Sequence, residues 1–278
     1  MTIKESLFWA KEQLKESCQR PLFEAELLLA FHLQKERIYL HLHENEEVEA
    51  FEMFGSLIAR RAKHEPYEYI VKKASFYDMT LFVEKGVLIP RPETELLVEY
   101  AAKIIQEKKI TRMAEIGVGS GAISIALARK FPKLQIIATD ICDIPLKVAL
   151  RNIEHFGVQK QITLLKSNLM DEIKEEIELI VSNPPYIAED FVLESNVADY
   201  EPKEALFGGK IGDEILKQIM IEAKNRNIGY LVCEIGYDQK KSLQLFADEI
   251  GVKCIDFYQD LARFDRGFIA QFNKEKNE

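Results

Sequence analysis

The chain has 278 residues, 47% of them hydrophobic, with a formal net charge of −9. That length buries a full core in one large domain or two smaller ones, and the acidity, with no dense basic stripe to offset it, argues against a nucleic-acid-binding surface and for a protein or small-molecule partner. No apolar run approaches the length of a membrane span, and the N-terminus has charges at Lys4 and Glu5 rather than a signal peptide, so a cytoplasmic protein without membrane contact is expected.

Residues 1–72 read as helices. The stretch 22–33 is rich in Leu, Ala and Glu, and Val48, Phe51, Phe54, Leu57 and Ile58 recur at helical spacing. A small bundle of four or five helices is predicted, with a polar break over 41–47. His41 and His43 in that break could ligate a metal, but two histidines without further ligands are far more often a solvated turn. Cys18, Cys142, Cys233 and Cys254 are widely spaced with no C-x-x-C, so neither disulfides nor zinc are expected.

Residues 73–90 change character. Phe76, Tyr77, Leu81, Phe82 and Val83, with Lys85-Gly86, predict a short β-hairpin linking two domains. Pro90-Arg91-Pro92-Glu93-Thr94-Glu95 follows; its prolines stiffen the chain, and Thr94 or the acids can cap a helix over 96–106.

From residue 112 strand and helix alternate, the signature of a parallel sheet with helices on both faces. Strands are expected at 113–116, 135–139, 162–165, 179–182 and 230–234, and helices at 123–130, 144–156, 213–225 and 238–250. Two further strands, 254–258 and 268–272, have no helix between them and should pair as an antiparallel hairpin. The fold class is α/β and Rossmann-like: a seven-stranded, mostly parallel sheet over 91–278, preceded by the hairpin and the helical bundle. The charged tail 274–278 is expected to be disordered.

Two motifs carry chemistry. Glu115-Ile116-Gly117-Val118-Gly119-Ser120-Gly121 lies between a strand and a helix, where glycines permit a tight turn and close approach to a ligand. Asp140 ends the next strand, placed to hold the hydroxyls of a ribose. Gly117, Gly119 and Ala122 also satisfy a dinucleotide fingerprint, so an NAD enzyme is a live alternative. Glu115, two residues before the first glycine, instead suits a ligand ammonium. Asn183-Pro184-Pro185-Tyr186 ends the strand at 179–182. Its prolines hold a loop in one extended shape, which presents an amide side chain, a backbone carbonyl and an aromatic ring. Such a loop suits a planar group bearing an NH2, and has no task in hydride transfer. A nucleoside carrying an amino acid fits both motifs, and S-adenosylmethionine is that molecule.

With these residues the chain resembles the release-factor glutamine methyltransferases, the PrmC/HemK family. The resemblance runs over nearly all of the chain. It rests on the two motifs above and on Pro90-Arg91-Pro92-Glu93-Thr94-Glu95, Tyr200-Glu201-Pro202, Ala205-Leu206-Phe207-Gly208-Gly209 and Glu234-Ile235-Gly236. It implies a class I S-adenosylmethionine-dependent fold and methylation of the side-chain nitrogen N5 of the glutamine in the Gly-Gly-Gln loop of class-1 peptide chain release factors. It implies cofactor contacts from Glu115, Gly117, Val118, Gly119, Ser120, Gly121, Asp140, Asn168 and Asn183. The substrate would be held by Asn183, Pro184, Pro185 and Tyr186, with Asn183 and Pro184 orienting the reacting nitrogen, and residues 1–72 would dock the partner. The family often has glycine where this chain has Lys72, Asp78 and Arg263, and an Asp followed by an aromatic where it has Asn168-Leu169.

Asn183 Oδ1 and the Pro184 carbonyl are expected to accept both hydrogens of a planar amide and hold its nitrogen toward the methyl group, with Tyr186 against the amide plane and no metal. An adenine amino group, presented by base flipping, suits the same loop, so a nucleic-acid adenine N6 methyltransferase is the chief competitor. A nucleotide-binding module without turnover is a third class.

Overall fold

In the bundle, helix α1 (Ile3–Leu14) opens on a capping box, in which Thr2 and Glu5 each accept the other's backbone amide. Helix α2 (Pro21–Leu33) starts on a proline, whose missing N–H costs nothing there. Helices α3 (Arg37–Leu42), α4 (Phe51–Arg61) and α5 (Tyr67–Val71) complete the set. The computed structural model describes residues 1–273, so the tail expected to be disordered lies outside the described residues.

The polar break begins later than expected. His41 lies inside α3, because Leu40, 1% exposed, anchors that turn in the core. His43 then stacks on Tyr39 with ring centroids 3.8 Å apart.

Strands β1 (Lys73–Phe76) and β2 (Met79–Phe82) pair as a small sheet. After them come α6 (Thr94–Lys108), β3 (Arg112–Ile116), α7 (Ala122–Lys130), β4 (Gln135–Asp140), α8 (Asp143–His155), β5 (Ile162–Lys166) and β6 (Leu179–Ser182). The chain continues through β7 (Ile187–Ala188), α9 (Ser195–Ala198), β8 (Phe207–Gly209), α10 (Glu214–Asn225), β9 (Tyr230–Glu234), α11 (Lys240–Ile250), β10 (Cys254–Gln259) and β11 (Asp265–Gln271).

These elements form two compact units. The first holds Met1–Lys73 and the later segment Leu193–Tyr200. Leu28, Leu29, Phe54 and Ile58 fill its core, with Trp9 edge-on to Phe51. The Tyr200 hydroxyl donates to the Lys63 carbonyl at 2.6 Å, which fastens the later segment to the helices. The second unit holds Ala74–Val192 and the described residues from Glu201 onward.

In the second unit a seven-stranded sheet runs in the order β10-β11-β9-β6-β3-β4-β5. β11 pairs antiparallel with both β9 and β10, while β9, β6, β3, β4 and β5 are mutually parallel. β6 is buried at every position and β3 at every position after Arg112, as expected where helices cover both faces. The order reverses between β3 and β6, and a crevice opens at such a switch point beyond the carboxyl ends of the strands. Asp265 and Arg266 extend β11 before the expected start, because Arg266 is held to Asp260 at 2.7 Å across the turn.

Candidate active site

The crevice is a cavity of about 380 Å³, within the range of small-molecule sites. Gly117, Val118, Gly119 and Ser120 form one wall, Asp140 and Asn168 stand along another, and Asn183, Pro184 and Pro185 close the third. The two motifs, apart in the chain, therefore share one space. Gly121 lies just behind the first wall, at the start of α7 with φ +83°.

The glycine turn is shaped for a ligand. Gly119 has φ +54°, and a Cβ added there would meet nothing within 4 Å, because it would point into the open cavity. Its N–H donates to Asp140 Oδ2 at 3.1 Å, and Cys142 N–H donates to Oδ1 at 3.0 Å. These two bonds hold the carboxylate still with lone pairs to spare for hydroxyls. Burial pushes the Asp140 carboxyl up, against the pull of the Cys142, Gly119 and Ile141 amides.

Glu115 is 1% exposed. Its Oε2 accepts from the Ser124 backbone at 2.9 Å and from the Ser124 hydroxyl. Its Oε1 is buried and has no hydrogen-bond partner, yet Glu115 lines the cavity. Burial pushes this carboxyl up to about 8, with Ser124 opposing and Asp140 adding to the rise. A buried acceptor without a donor costs free energy unless a ligand supplies one. A ligand ammonium is the donor that fits, so the site accommodates a nucleoside that bears an amino acid. Ser124, which orients Glu115, was not expected from the sequence; only its position one turn into α7 hints at it.

Asn183 is held by a residue expected to do something else. Thr94 does not cap α6; Glu93 occupies the cap position without a side-chain bond. Instead Thr94, 5% exposed, accepts from Asn183 Nδ2 at 3.0 Å. With its nitrogen end tied, the Asn183 amide leaves its oxygen end to accept.

Tyr186 departs from the expected arrangement. It does not line the cavity; its ring packs on the core cluster under β9, and its hydroxyl donates to Glu234 Oε1 at 3.1 Å. Asn168 does lie on the wall, its Nδ2 3.5 Å from Asp171 Oδ2.

Further residues shape the rim. Arg91 pairs with Glu201 at 2.5 Å, and Pro202, Glu204, Ala205 and Phe207 line the cavity beside them. Asn152 donates to the Ser120 carbonyl at 2.8 Å and braces the glycine turn from α8. β7 and β8, two short strands that sequence periodicity does not mark, pair parallel just after the Asn-Pro-Pro-Tyr loop. Gly208 is obligatory there: a Cβ would lie 2.4 Å from the Pro185 carbonyl and 2.3 Å from that of Gly212.

Two of the departing positions keep a backbone that favours glycine. Lys72 has φ +57° and Arg263 φ +66°. Asp78 instead forms a two-pronged ion pair with Arg129, both distances 2.8 Å.

Among the described residues no group of three or more His, Cys, Asp or Glu could hold a metal ion, and no helix is long and apolar enough to cross a membrane.

The chain matches the family models "PrmC N-terminal domain" over residues 5–71 and "Methyltransferase small domain" over 92–199. It is 39% identical over 263 residues to a release factor glutamine methyltransferase of Clostridium botulinum, covering 89% of this chain and 91% of that one. A protein of the same description from Dictyoglomus turgidum is 36% identical over 271 residues, 95% of this chain and 96% of its own. Among solved structures, the hMettl16 catalytic domain in complex with a MAT2A 3′UTR hairpin is similar with a TM-score of 0.58 at 18% identity, over 70% of this chain and 76% of that one. At that identity the likeness carries the fold alone.

Proposed function

The chain belongs to the release factor glutamine methyltransferases, and on that premise we propose that it methylates N5 of the glutamine in the Gly-Gly-Gln motif of class-1 peptide chain release factors. It is an S-adenosylmethionine-dependent protein-glutamine methyltransferase. The observation that supports the finer reading is the Thr94–Asn183 hydrogen bond, which ties the nitrogen end of the Asn183 amide and leaves its oxygen to accept at the cavity wall beside Pro184.

Glu115 Oε1 would accept from the cofactor's ammonium, Asp140 from its ribose hydroxyls, and Asn168 would face its adenine. The glycine wall from Gly117 to Gly121 would let the backbone approach. When bound, S-adenosylmethionine supplies a methyl group on a positively charged sulfur.

The rest falls to the protein. A glutamine amide nitrogen is a poor nucleophile, because its lone pair is shared with the carbonyl. Asn183 Oδ1 and the Pro184 carbonyl would accept its two hydrogens, orient the nitrogen and stabilise the positive charge that develops on it; as the nitrogen–methyl bond forms and the methyl–sulfur bond breaks, a neutral thioether would depart and one of those two protons would pass to solvent. Held in near-attack geometry, the reactants gain on the order of 7–11 kcal/mol. The acidic chain and the absence of a dense basic stripe favour a protein substrate over an adenine base.

Residues 1–72 are proposed as the docking surface for the release factor. Transfer of label from cofactor to a purified release factor, with DNA and RNA in parallel tubes, tests the whole reading. Label on the Gly-Gly-Gln glutamine supports it, whereas label on adenine would replace it.

A further inference from the structure

Tyr186 is gripped at both ends by one short segment, the last residue of β9 and the turn after it. Glu234 Oε1 accepts from its hydroxyl at 3.1 Å, and Gln239 Nε2 donates to its backbone carbonyl at 2.8 Å. Gln239 is itself locked, because its Oε1 accepts from Gly236 N–H at 2.9 Å. Glu234 is 3% exposed, and its Oε2 has no hydrogen-bond partner. Thr94, which holds Asn183, stands beside the same carboxylate. One buried carboxylate therefore lies behind both ends of the Asn-Pro-Pro-Tyr loop.

A buried acid with an unpaired oxygen is costly. Its retention calls for a task. The loop's two acceptors must be set to within a fraction of an ångström to orient an amide, and side chains so placed need support from behind.

We propose that Glu234 is a positioning residue for methyl transfer: through Tyr186 and Thr94 it sets the orientation of Asn183 and Pro184 at the cavity wall. This rests on the methyltransferase reading above. Glu234 does not line the cavity, so it is expected to act on the rate of transfer and not on cofactor affinity.

The surroundings support a carboxylate that changes charge near neutrality. Burial pushes Glu234 up to about 7; Thr94 and Tyr186 pull it down, Glu93 raises it and Arg266 lowers it. The Tyr258 phenol also faces it from β10, and the neighbouring strand β6 (Leu179–Ser182) brings no titratable group. The ionised form accepts the Tyr186 hydrogen bond more strongly. Transfer should therefore slow as pH falls below about 7.

The test compares Glu234→Leu, Glu234→Gln, Tyr186→Phe and the double variant Glu234→Leu/Tyr186→Phe on an intact release factor, with calorimetry of S-adenosylmethionine alongside. Glu234→Leu should lower kcat about tenfold, the effect of one lost hydrogen bond of about 1.4 kcal/mol, with cofactor Kd within about twofold of wild type. Glu234→Gln keeps an acceptor and should recover most of the rate. It should also lose the acidic limb of the kcat–pH profile at saturating cofactor. The double variant should be no slower than the slower single one. If Glu234→Leu does not fold, Glu234→Gln and Tyr186→Phe decide the matter through the pH profile. Cofactor affinity falling in step with kcat, a limb that survives in Glu234→Gln, or multiplicative losses in the double variant would overturn the inference. Wild-type protein inactive on release factors would instead remove the methyltransferase reading, and the inference with it.

Discussion

Arg91 and Glu201, 110 positions apart in the chain, meet in an ion pair whose acid is almost wholly buried. Glu201 also accepts from the Ile89 backbone at 3.2 Å. One carboxylate thus binds the proline-rich entry to α6 onto the segment that leads to β8, and both stretches line the cavity. Arg91→Ala should destabilise the protein by about 1–3 kcal/mol, because it leaves a buried acceptor short of a donor. Thermal unfolding measures the loss. Arg91→Lys should restore only part of it, since a lysine offers a single point of charge where guanidinium offers a fork.

Thr94→Val removes the acceptor for Asn183 without changing the shape of the side chain. The freed amide can then turn its nitrogen end to the substrate. We expect kcat to fall about tenfold, consistent with one hydrogen bond of roughly 1 kcal/mol plus misorientation. Asn183→Ala should cost more, about 100-fold, as loss of a donor or acceptor at a reacting centre does. Single-turnover kinetics with calorimetry of the cofactor distinguishes the two from a binding defect.

Glu115 couples cofactor binding to pH. Its carboxyl ionises at about 8 in the folded protein against an ordinary value of 4.5, so the folded state holds a proton that the unfolded state lacks throughout that interval. The sign follows: this group's contribution to stability is full below 4.5 and is lost as pH rises toward 8. A ligand ammonium favours the ionised form. Binding of S-adenosylmethionine at pH 7 should therefore release a proton, and affinity should rise with pH toward 8. Calorimetry in buffers of different ionisation enthalpy reads the proton directly. Glu115→Gln should abolish the release and weaken binding at all pH values.

Gly208→Ala places a methyl group 2.3 Å and 2.4 Å from two carbonyl oxygens. The backbone must give way, at about 1–3 kcal/mol, and the oxygen on one side belongs to Pro185 in the catalytic loop. Activity should fall further than stability, which parallel melting and turnover measurements would show.

Arg263→Gly tests a departure. With φ at +66° on an exposed turn, arginine bears a backbone strain that glycine lacks. The substitution should raise stability by about 0.5–1 kcal/mol and leave turnover unchanged. A lower melting temperature would show that the Arg263 side chain contributes more than its backbone costs.

The sequence by itself determined the elements and the chemistry at their ends. Apolar periods of two and 3.6, punctuated by glycine and proline, are written in neighbouring residues. They suffice to place β3, β4 and β6 and to put Glu115, Asp140 and Asn183 at carboxyl ends, where parallel strands open a crevice. What tertiary structure alone decided is which polar groups meet. Thr94 finds Asn183 across 89 positions, and Tyr186 finds Glu234 across 48. A hydroxyl carries no mark of its partner; Thr94 reads as a helix cap until α6 and β6 are packed together, and Tyr186 reads as a cavity wall until β9 supplies a buried acceptor. The segment Leu193–Tyr200 and the strands β7 and β8 were hidden for the same reason. Each is too short to show a period, and each is held by contacts whose other half lies far along the chain.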